Sequence, residues 1–177
     1  KSLDKANLKG HTLDYIVVND GSKDNTKKIC EDNKLNYINL HVNLGIGGAV
    51  QTGYKYALEN DYDYAIQFDG DGQHNVLYAD AILKPLRDKK ADMVIGSRFI
   101  KNIDTFRSSA ARRLGIKIIS FFIKLVTGKK IYDTTSGMRA INKDLIKLFA
   151  SDYPVEYPEP VSTTLVLKRG YKVDEVS

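Results

Sequence analysis

A short apolar run from Tyr64 to Phe68 leads directly into an acidic segment, Asp69–His74. The run contains aromatic and β-branched residues and is flanked by polar and turn residues, which predicts a buried β-strand. The two aspartates of the segment, Asp69 and Asp71, therefore stand at the carboxyl end of a strand. In open α/β sheets this edge is where ligands bind. The segment thus favours folds that present an acidic cluster at a ligand-binding sheet edge.

The acidic segment has two interpretations. Two aspartates one residue apart repel each other, and Mg²⁺ relieves this when it binds through one or two carboxylates and substrate phosphates. Aspartate and glycine also suit an ordinary solvated turn, and taken alone the two interpretations are equally good. An EF-hand calcium loop is excluded, because its sixth and twelfth positions require glycine and glutamate. Here those positions hold His74 and Asp80.

Strands and helices alternate along the chain, which predicts an α/β layer fold with a largely parallel sheet. The predicted strands are residues 13–19, 37–40, 64–68, 93–97, 136–141 and 171–176. The predicted helices are residues 23–33, 49–59, 76–88, 112–127, 143–150 and 158–169. The first ten residues have the pattern of a helix end, and the last strand runs into Ser177. We therefore expect one domain over residues 1–177, truncated at both ends from a longer protein.

Composition narrows the partners and the compartment. With 42% hydrophobic and 28% charged residues, the 177-residue chain has the make-up of a soluble globular domain. The formal net charge of +5 suits nucleotide phosphates or anionic lipid headgroups. No zinc spacing, arginine-rich tract or RNA-binding motif supports nucleic acid as a partner. A single cysteine, with neither a leader pattern nor a bilayer-spanning run, predicts a cytoplasmic protein that can contact the cytoplasmic face of a membrane.

Two further motifs lie where a strand gives way to a helix. Asp20 ends the first strand and is a candidate acceptor of hydrogen bonds from a nucleotide base or ribose, with a helix cap as the alternative. A loop with Gly45, Gly47 and Gly48 precedes the second helix, where free backbone amides favour an anion. A tight turn without a ligand is the alternative, because the loop matches neither G-x-G-x-x-G nor the P-loop pattern.

Arginines follow at two places. Arg98 stands at the end of another predicted strand, and Arg112 and Arg113 begin the long helix. If they converge on the acidic cluster, they clamp phosphates there; surface salt bridges are the alternative for each. The long helix is apolar on more than one face but is interrupted by Lys117 and Lys124. It therefore predicts a core helix or, slightly less well, an interfacial helix whose lysines reach anionic headgroups.

Taken in chain order, these motifs resemble the family 2 glycosyltransferases of the GT-A fold, in the branch of the dolichyl- and polyprenyl-phosphate sugar synthases. The matching segments are residues 17–22, 43–48 with Gly53, 69–74, 96–98, 112–113 and 136–140. The resemblance implies a Rossmann-like three-layer α/β/α sandwich with a mainly parallel sheet. It also implies a metal-dependent, inverting transfer of a sugar from a UDP- or GDP-linked donor. The acceptor would be a polyprenyl phosphate or a cell-envelope glycan.

The resemblance also implies roles for single residues. The family's DxD pair falls on Asp69 and Asp71, which would hold Mg²⁺ or Mn²⁺ on the donor diphosphate. Arg98 and Arg112 would take the acceptor phosphate, and Arg139 would line the same site. The implied catalytic residues are Asp71, Arg98, Arg112 and Arg139. The implied donor-binding residues are Asp20, Gly45, Gly47, Gly48, Asp69, Gly70 and Arg113. The implied metal ligands are Asp69, Asp71 and Gln73.

Two departures from the family pattern leave alternatives open. The strand ending in Pro-x-Tyr-Asn-Glu that begins the family domain has no match, which favours a non-catalytic nucleotide-sugar-binding fragment as one alternative. Val161 replaces the last glutamate of Tyr-Pro-Glu-Pro-Glu, which affects acceptor handling. A glycan hydroxyl as acceptor would need a general base, for which Asp133, Glu156 and Glu159 are candidates. A nucleotidyltransferase, which also uses paired acids and a metal, is a weaker alternative.

Overall fold

The computed structural model describes residues 12–70, 76–98 and 110–176, and of residues 110–113 it describes the backbone alone. Asp71 and Gln73 lie outside these residues, as do the side chains of Arg112 and Arg113. The strands are β1 (Val17–Asn19), β2 (Tyr37–Asn39), β3 (Tyr64–Gln67), β4 (Met93–Gly96), β5 (Arg139–Asn142) and β6 (Val173–Val176). The helices are α1 (Thr26–Asp32), α2 (Gly45–Glu59), α3 (Ala79–Arg87), α4 (Ala110–Thr127), α5 (Lys143–Ser151) and α6 (Pro158–Lys168).

The main sheet has the strand order β3-β5-β4-β6, and β1 and β2 form a separate parallel pair. Strand β5 is antiparallel to both of its neighbours, whereas β4 and β6 are parallel. Strands β3, β4 and β6 therefore share one direction, and only β5 among the described strands of this sheet is reversed. This reversal brings the amino end of β5 to the edge where β3 and β4 end.

Side chains of the central strands alternate between two apolar cores, one on each face of the sheet. In β4, Met93 and Ile95 pack with residues of α2, α5 and α6, whereas Val94 packs with residues of α3. In β5, Ile141 and Ala140 divide between the same two cores. Helices therefore cover both faces of the sheet, which confirms the expected three-layer α/β/α architecture.

The glycine-rich segment expected to be a loop is instead the first turn of α2, which begins at Gly45. The physical reason is a close backbone approach: a Cβ atom on Gly47 would lie 2.6 Å from Val155 Cα. Glycine costs stability inside a helix, but here it lets the helix start pack directly against the segment that precedes α6. Among the described residues, no helix is both long and apolar enough to cross a bilayer.

We predict that Phe149→Ala lowers the free energy of unfolding by about 3–5 kcal/mol, because it empties a filled core site. Phe149 is fully buried, and its ring lies 5.5 Å from the ring of Tyr54 and 5.0 Å from that of Tyr153. Phe122→Ala is the matched control; the ring is 57% exposed, and its loss should cost no more than about 0.5 kcal/mol. Urea denaturation measures both, and equal losses would contradict the core assignment.

Candidate active site

The carboxylate of Asp69 lies directly against the backbone of Gly137. The antiparallel register of β3 and β5 pairs Gln67 with Arg139. Asp69, two residues after Gln67, therefore faces Gly137, two residues before Arg139. A Cβ atom on Gly137 would overlap the carboxyl group of Asp69. Two segments that are far apart in sequence therefore meet at one point of the sheet edge, and glycine is needed there for space.

A second side chain of the same edge, Arg98, is held by a buried carboxylate. Its Nε donates to Asp133 Oδ2 at 2.8 Å, and its Nη2 donates to Asp133 Oδ1 at 2.9 Å. The same Nη2 donates to Thr135 Oγ1 at 3.1 Å, and the backbone N–H of Arg98 donates to Asp133 Oδ2. Asp133 is fully buried. The two side chains thus form a bidentate ion pair that fixes the plane of the guanidinium. Because Asp133 is buried, this pair is not the surface salt bridge that the sequence left as the alternative.

Asp133 is therefore a positioning carboxylate in this arrangement and is poorly placed as a general base. Both of its oxygens accept hydrogen bonds from Arg98. Its own backbone N–H donates to Glu175 Oε1 at 2.8 Å, and that of Tyr132 donates to Glu175 Oε2 at 2.8 Å. Burial raises the pKa of the Glu175 carboxyl above its ordinary value. A chain of contacts thus runs from β6 through Asp133 to Arg98.

Strand β4 and the segment before β5 are joined beside this pair. Ser136 Oγ donates to the carbonyl of Gly96 at 2.6 Å, and it accepts from the backbone N–H of Met138 at 3.3 Å. The side chain of Ser136 thus takes the place of a ladder bond, which explains why β5 begins at Arg139 rather than at the predicted residue 136. These bonds set the spacing between Asp69 on one side of β5 and Arg98 on the other.

Arg139 is fully buried, and its guanidinium is used inside the protein. Its Nη1 donates to the carbonyl of Glu159 and to Thr163 Oγ1, both at 2.8 Å, and to Ser162 Oγ at 3.2 Å. Its Nε donates to the carbonyl of Ser136 at 2.9 Å. Burial lowers the pKa of this guanidinium, although arginine stays charged at neutral pH. Arg139 therefore anchors the start of α6 to the site, and its expected contact with a ligand stays a prediction.

Several buried polar atoms near Arg139 were not foreseen from the sequence. Gln67, Tyr54, Tyr153 and Thr134 each bury a side-chain oxygen or nitrogen that has no hydrogen-bond partner of normal geometry among the described residues. Burial raises the pKa of Tyr153 to about 12. The hydroxyl groups of Tyr54 and Tyr153 lie beside each other, and that of Tyr153 also lies beside Ser162, so these residues form part of one buried polar cluster around Arg139. The one sequence feature that indicates this buried polar cluster is Gln67, a polar residue within the apolar run of β3.

Asp20 directly follows β1 and binds the two residues just before α2. Its Oδ1 accepts from the backbone N–H of Leu44 at 2.7 Å, and its carbonyl accepts from Asn43 Nδ2 at 3.0 Å. Gly21 adopts φ +64°, and a Cβ there would lie 2.9 Å from Asn43 N. Asp20 caps neither helix, since the N-cap residues of α1 and α2 are Asn25 and Leu44; it fastens the segment just before α2 to the end of β1. A nucleotide contact for Asp20 stays a prediction.

The three glycines of the α2 start have different surroundings. Gly45 has φ +76° and open space around it, whereas Gly47 is buried against Pro154 and Val155. A Cβ on Gly48 would run into the side chain of Leu44. Gly47 is therefore a packing residue, and ligand contact by this turn stays a prediction.

The described part of the chain brings no three histidine, cysteine, aspartate or glutamate side chains together as a metal cluster. The acidic groups closest to the sheet edge differ in availability. Asp133 is occupied by Arg98, whereas Asp69 is only partly buried and Gly70 beside it is exposed. Asp69 is thus the described carboxylate at this edge best placed to take a cation.

Comparison with known proteins identifies the family. Residues 2–149 match the model of Glycosyl transferase family 2. The UDP-N-acetylglucosamine–dolichyl-phosphate N-acetylglucosaminyltransferase of Methanococcus voltae is 33% identical over 187 residues, which cover 95% of this chain and 74% of that protein. The undecaprenyl-phosphate mannosyltransferase of Micrococcus luteus is 28% identical over 144 residues, which cover 78% of this chain and 58% of that protein.

Solved structures show the same fold at low sequence identity. Glucosyl-3-phosphoglycerate synthase from Mycobacterium tuberculosis, in complex with phosphoglyceric acid, matches with a TM-score of 0.67 and 16% identity, covering 91% of this chain and 57% of that one. The same enzyme in complex with Mn²⁺, UDP-glucose and phosphoglyceric acid gives a TM-score of 0.62 at 16% identity, with the same coverage. The chain thus spans less than three fifths of these solved chains. It has the GT-A glycosyltransferase fold, and with the family match over residues 2–149 it belongs to glycosyl transferase family 2.

Proposed function

We propose that this chain transfers a sugar from a nucleotide-diphosphate sugar to a polyprenyl phosphate, with inversion at the anomeric carbon. The observation that carries the proposal is the placement of Asp69 and Arg98 at one sheet edge, on opposite sides of the segment that leads into β5. An acidic group for the donor and a fixed cation for the acceptor thereby flank the same strand. The named activities of the relatives from Methanococcus voltae and Micrococcus luteus support this acceptor class.

The donor half of the site is built on Asp69 and, outside the described residues, Asp71 and Gln73. One or two carboxylates suffice for Mg²⁺ when substrate phosphates supply the other ligands, and the Mn²⁺ complex of the mycobacterial synthase supports a divalent cation. The bound cation would neutralise charge that develops on the leaving diphosphate. Asp20 and Gly45 would contact the nucleotide, with UDP favoured by the UDP-glucose in that complex.

The acceptor half of the site uses Arg98, with Arg112 and Arg113 as further cations. An oxygen of the acceptor phosphate forms the new bond to the anomeric carbon. The bond from that carbon to the donor diphosphate breaks, and the diphosphate leaves with the electron pair. Attack in line with the leaving group inverts the configuration. A phosphomonoester has its second pKa at about 6, so this acceptor is already ionised and needs no general base.

The state of Asp133 favours a phosphate acceptor over a sugar hydroxyl. A hydroxyl needs a base within reach of its proton, and Asp133 was one of three candidates. Its two oxygens are bound to Arg98 in the interior. Because Asp133 holds the Arg98 guanidinium in a fixed plane, the positive charge has a fixed position at this edge, which suits recognition of an anionic phosphate.

The proposal predicts metal-dependent transfer of labelled sugar from a UDP- or GDP-sugar to polyprenyl phosphate, and none to an oligosaccharide. Product formation after extraction into organic solvent measures the first, and chromatography of the glycan measures the second. Transfer to the oligosaccharide alone would contradict the lipid-phosphate acceptor. Metal-dependent nucleotide binding by calorimetry without any transfer would instead support a nucleotide-sugar-binding fragment.

We expect Gly137→Ala to abolish metal-dependent nucleotide binding while leaving the fold intact. The three atoms nearest to the added Cβ all belong to the Asp69 carboxyl group. That short side chain can rotate away from the site to make room. Gly53→Ala is the matched control, because nothing lies within 4 Å of the new methyl group. It should stabilise α2 by about 0.5–1 kcal/mol and bind nucleotide as before. Calorimetry with UDP and Mn²⁺ tests both, and normal binding by Gly137→Ala would argue against Asp69 as a ligand.

We expect Asp133→Asn to raise the KM for polyprenyl phosphate at least tenfold and to change donor affinity by less than about twofold, because Arg98 loses its charged partner. Unfolding free energy should fall by about 2–3 kcal/mol, somewhat below the loss for a fully buried pair. Asp88→Asn removes an exposed partner of Lys84 and should cost less than about 1 kcal/mol with no change in KM. An unchanged acceptor KM in Asp133→Asn would remove Arg98 from the acceptor site.

A further inference from the structure

Glu175 lies on β6, the last strand of the main sheet, and its carboxylate reaches the segment that contains Asp133. In β6, Glu175 stands opposite Ile95 of β4. Its Oε2 accepts from the backbone N–H of Tyr132, and its Oε1 accepts from that of Asp133, both at 2.8 Å. Ser97, which directly follows β4, also hydrogen-bonds this carboxylate. One side chain of β6 therefore joins the end of β4 to the segment that leads into β5.

The carboxylate takes the place of a strand ladder for this segment. Residues 129–133 run as irregular backbone between α4 and β5, so their N–H groups need partners other than a neighbouring strand. Two consecutive N–H groups, those of Tyr132 and Asp133, bind the two oxygens of Glu175. Asp133 is fully buried, and a buried N–H without a partner is costly. Glu175 thus fixes the backbone of Asp133 in both position and direction.

The side chain of Asp133 passes this constraint on to Arg98. Arg98 Nε and Nη2 donate to its two carboxylate oxygens at 2.8 and 2.9 Å. Because the backbone of Asp133 is held by Glu175, a shift of that backbone would move or tilt the bound guanidinium. Glu175 itself lies on the far side of Asp133 and makes its contacts with Tyr132, Asp133 and Ser97.

The place of Glu175 is electrostatically unfavourable for a carboxylate. Burial, and after it the neighbouring charge of Asp133, raises the pKa of the Glu175 carboxyl. A side chain that served only to pack the end of β6 would avoid this cost, because burying a charge is far more expensive than burying an apolar group. Carboxylates kept in such surroundings are concentrated at functional sites.

We infer that Glu175 is a positioning residue for the acceptor: acting through Asp133, it sets the place and the plane of the Arg98 guanidinium. The inference rests on the proposed function, in which Arg98 binds the acceptor phosphate. Glu175 acts on the acceptor only through the two other side chains. A charged group displaced by a fraction of its bond length binds its partner less well, since charge-assisted hydrogen bonds are short and directional.

The first test is the acceptor KM of Glu175→Gln, measured with a water-soluble short-chain polyprenyl phosphate. The amide keeps the shape of the side chain but turns an NH₂ group toward one of the two backbone N–H groups, so one bond is lost. We expect the acceptor KM to rise about fivefold, with kcat and the donor KM changed by less than about twofold. An unchanged acceptor KM would overturn the inference.

Two variants on the same strand serve as matched controls. Asp174→Asn removes a neighbouring carboxylate that is exposed and should leave the acceptor KM unchanged. Val173→Ala empties space in the core, where Val173 is fully buried, so its unfolding temperature should fall while the acceptor KM stays the same. A rise in KM with Val173→Ala that equals the rise with Glu175→Gln would reduce Glu175 to a purely structural residue and overturn the inference.

The double variant Glu175→Gln with Asp133→Asn tests the route through Asp133. If Glu175 acts through Asp133, the acceptor KM of the double variant should be no higher than that of Asp133→Asn alone, because residues in one network are not additive. Multiplication of the two single effects would show that Glu175 acts independently of Asp133 and would contradict the proposed route.

A crystal structure of Glu175→Gln separates this inference from the proposed function. The distance from Arg98 Nε to Asp133 Oδ2, which is 2.8 Å in the native protein, should lengthen, or the guanidinium should occupy two positions. An Arg98 that superimposes on the native one would overturn the inference whether or not the protein is active. Absence of transfer to polyprenyl phosphate by the native protein, with Arg98 displaced in the variant, would count against the proposed function only.

Discussion

The reversed direction of β5 is the constraint on which the site depends. Because β5 pairs antiparallel with both β3 and β4, Arg139 stands opposite Gln67 on one side and Ile95 on the other. The segment before Arg139 therefore runs between the ends of the two neighbouring strands. A parallel β5 would place its amino end at the far edge, and neither Asp69 nor Arg98 would have that segment beside it.

Buried polar bonds, and not apolar packing alone, determine the geometry of this edge. Arg98 and Asp133 form one charged pair, and Arg139 donates to a carbonyl of the segment before β5 and to carbonyl and hydroxyl oxygens of α6. Such groups are costly when unpaired and strong when satisfied in a low dielectric. Loss of one partner would therefore leave another buried group unpaired and destabilise the fold. This cost favours a single geometry of the site. The apolar cores above and below the sheet supply most of the stability that makes this tolerable.

The sequence predicted the elements well where the signal was local. The run before Asp69, the strand before Arg98 and the helix ended by Gly128 all follow from apolar pattern and turn residues, and the fold class was confirmed. The direction of β5 and the burial of Arg139 could not be predicted from the sequence, because both depend on pairings between residues far apart in the chain. The glycine-rich segment was wrongly predicted to be a loop for the same reason. Gly47 packs against Val155, which lies more than one hundred residues away in the chain.

That contact has a consequence for how the chain can vary. The stretch from Pro154 to Pro158 is pressed against Gly47 at one end, and at the other it leads into the first turn of α6, which Arg139 holds. Loops normally absorb insertions and deletions because their backbone is free to move. This one is fastened at both ends, so a change in its length would disturb the contact with Gly47 or the start of α6. Natural or engineered length changes should be sought instead at exposed turns such as the one around Lys89.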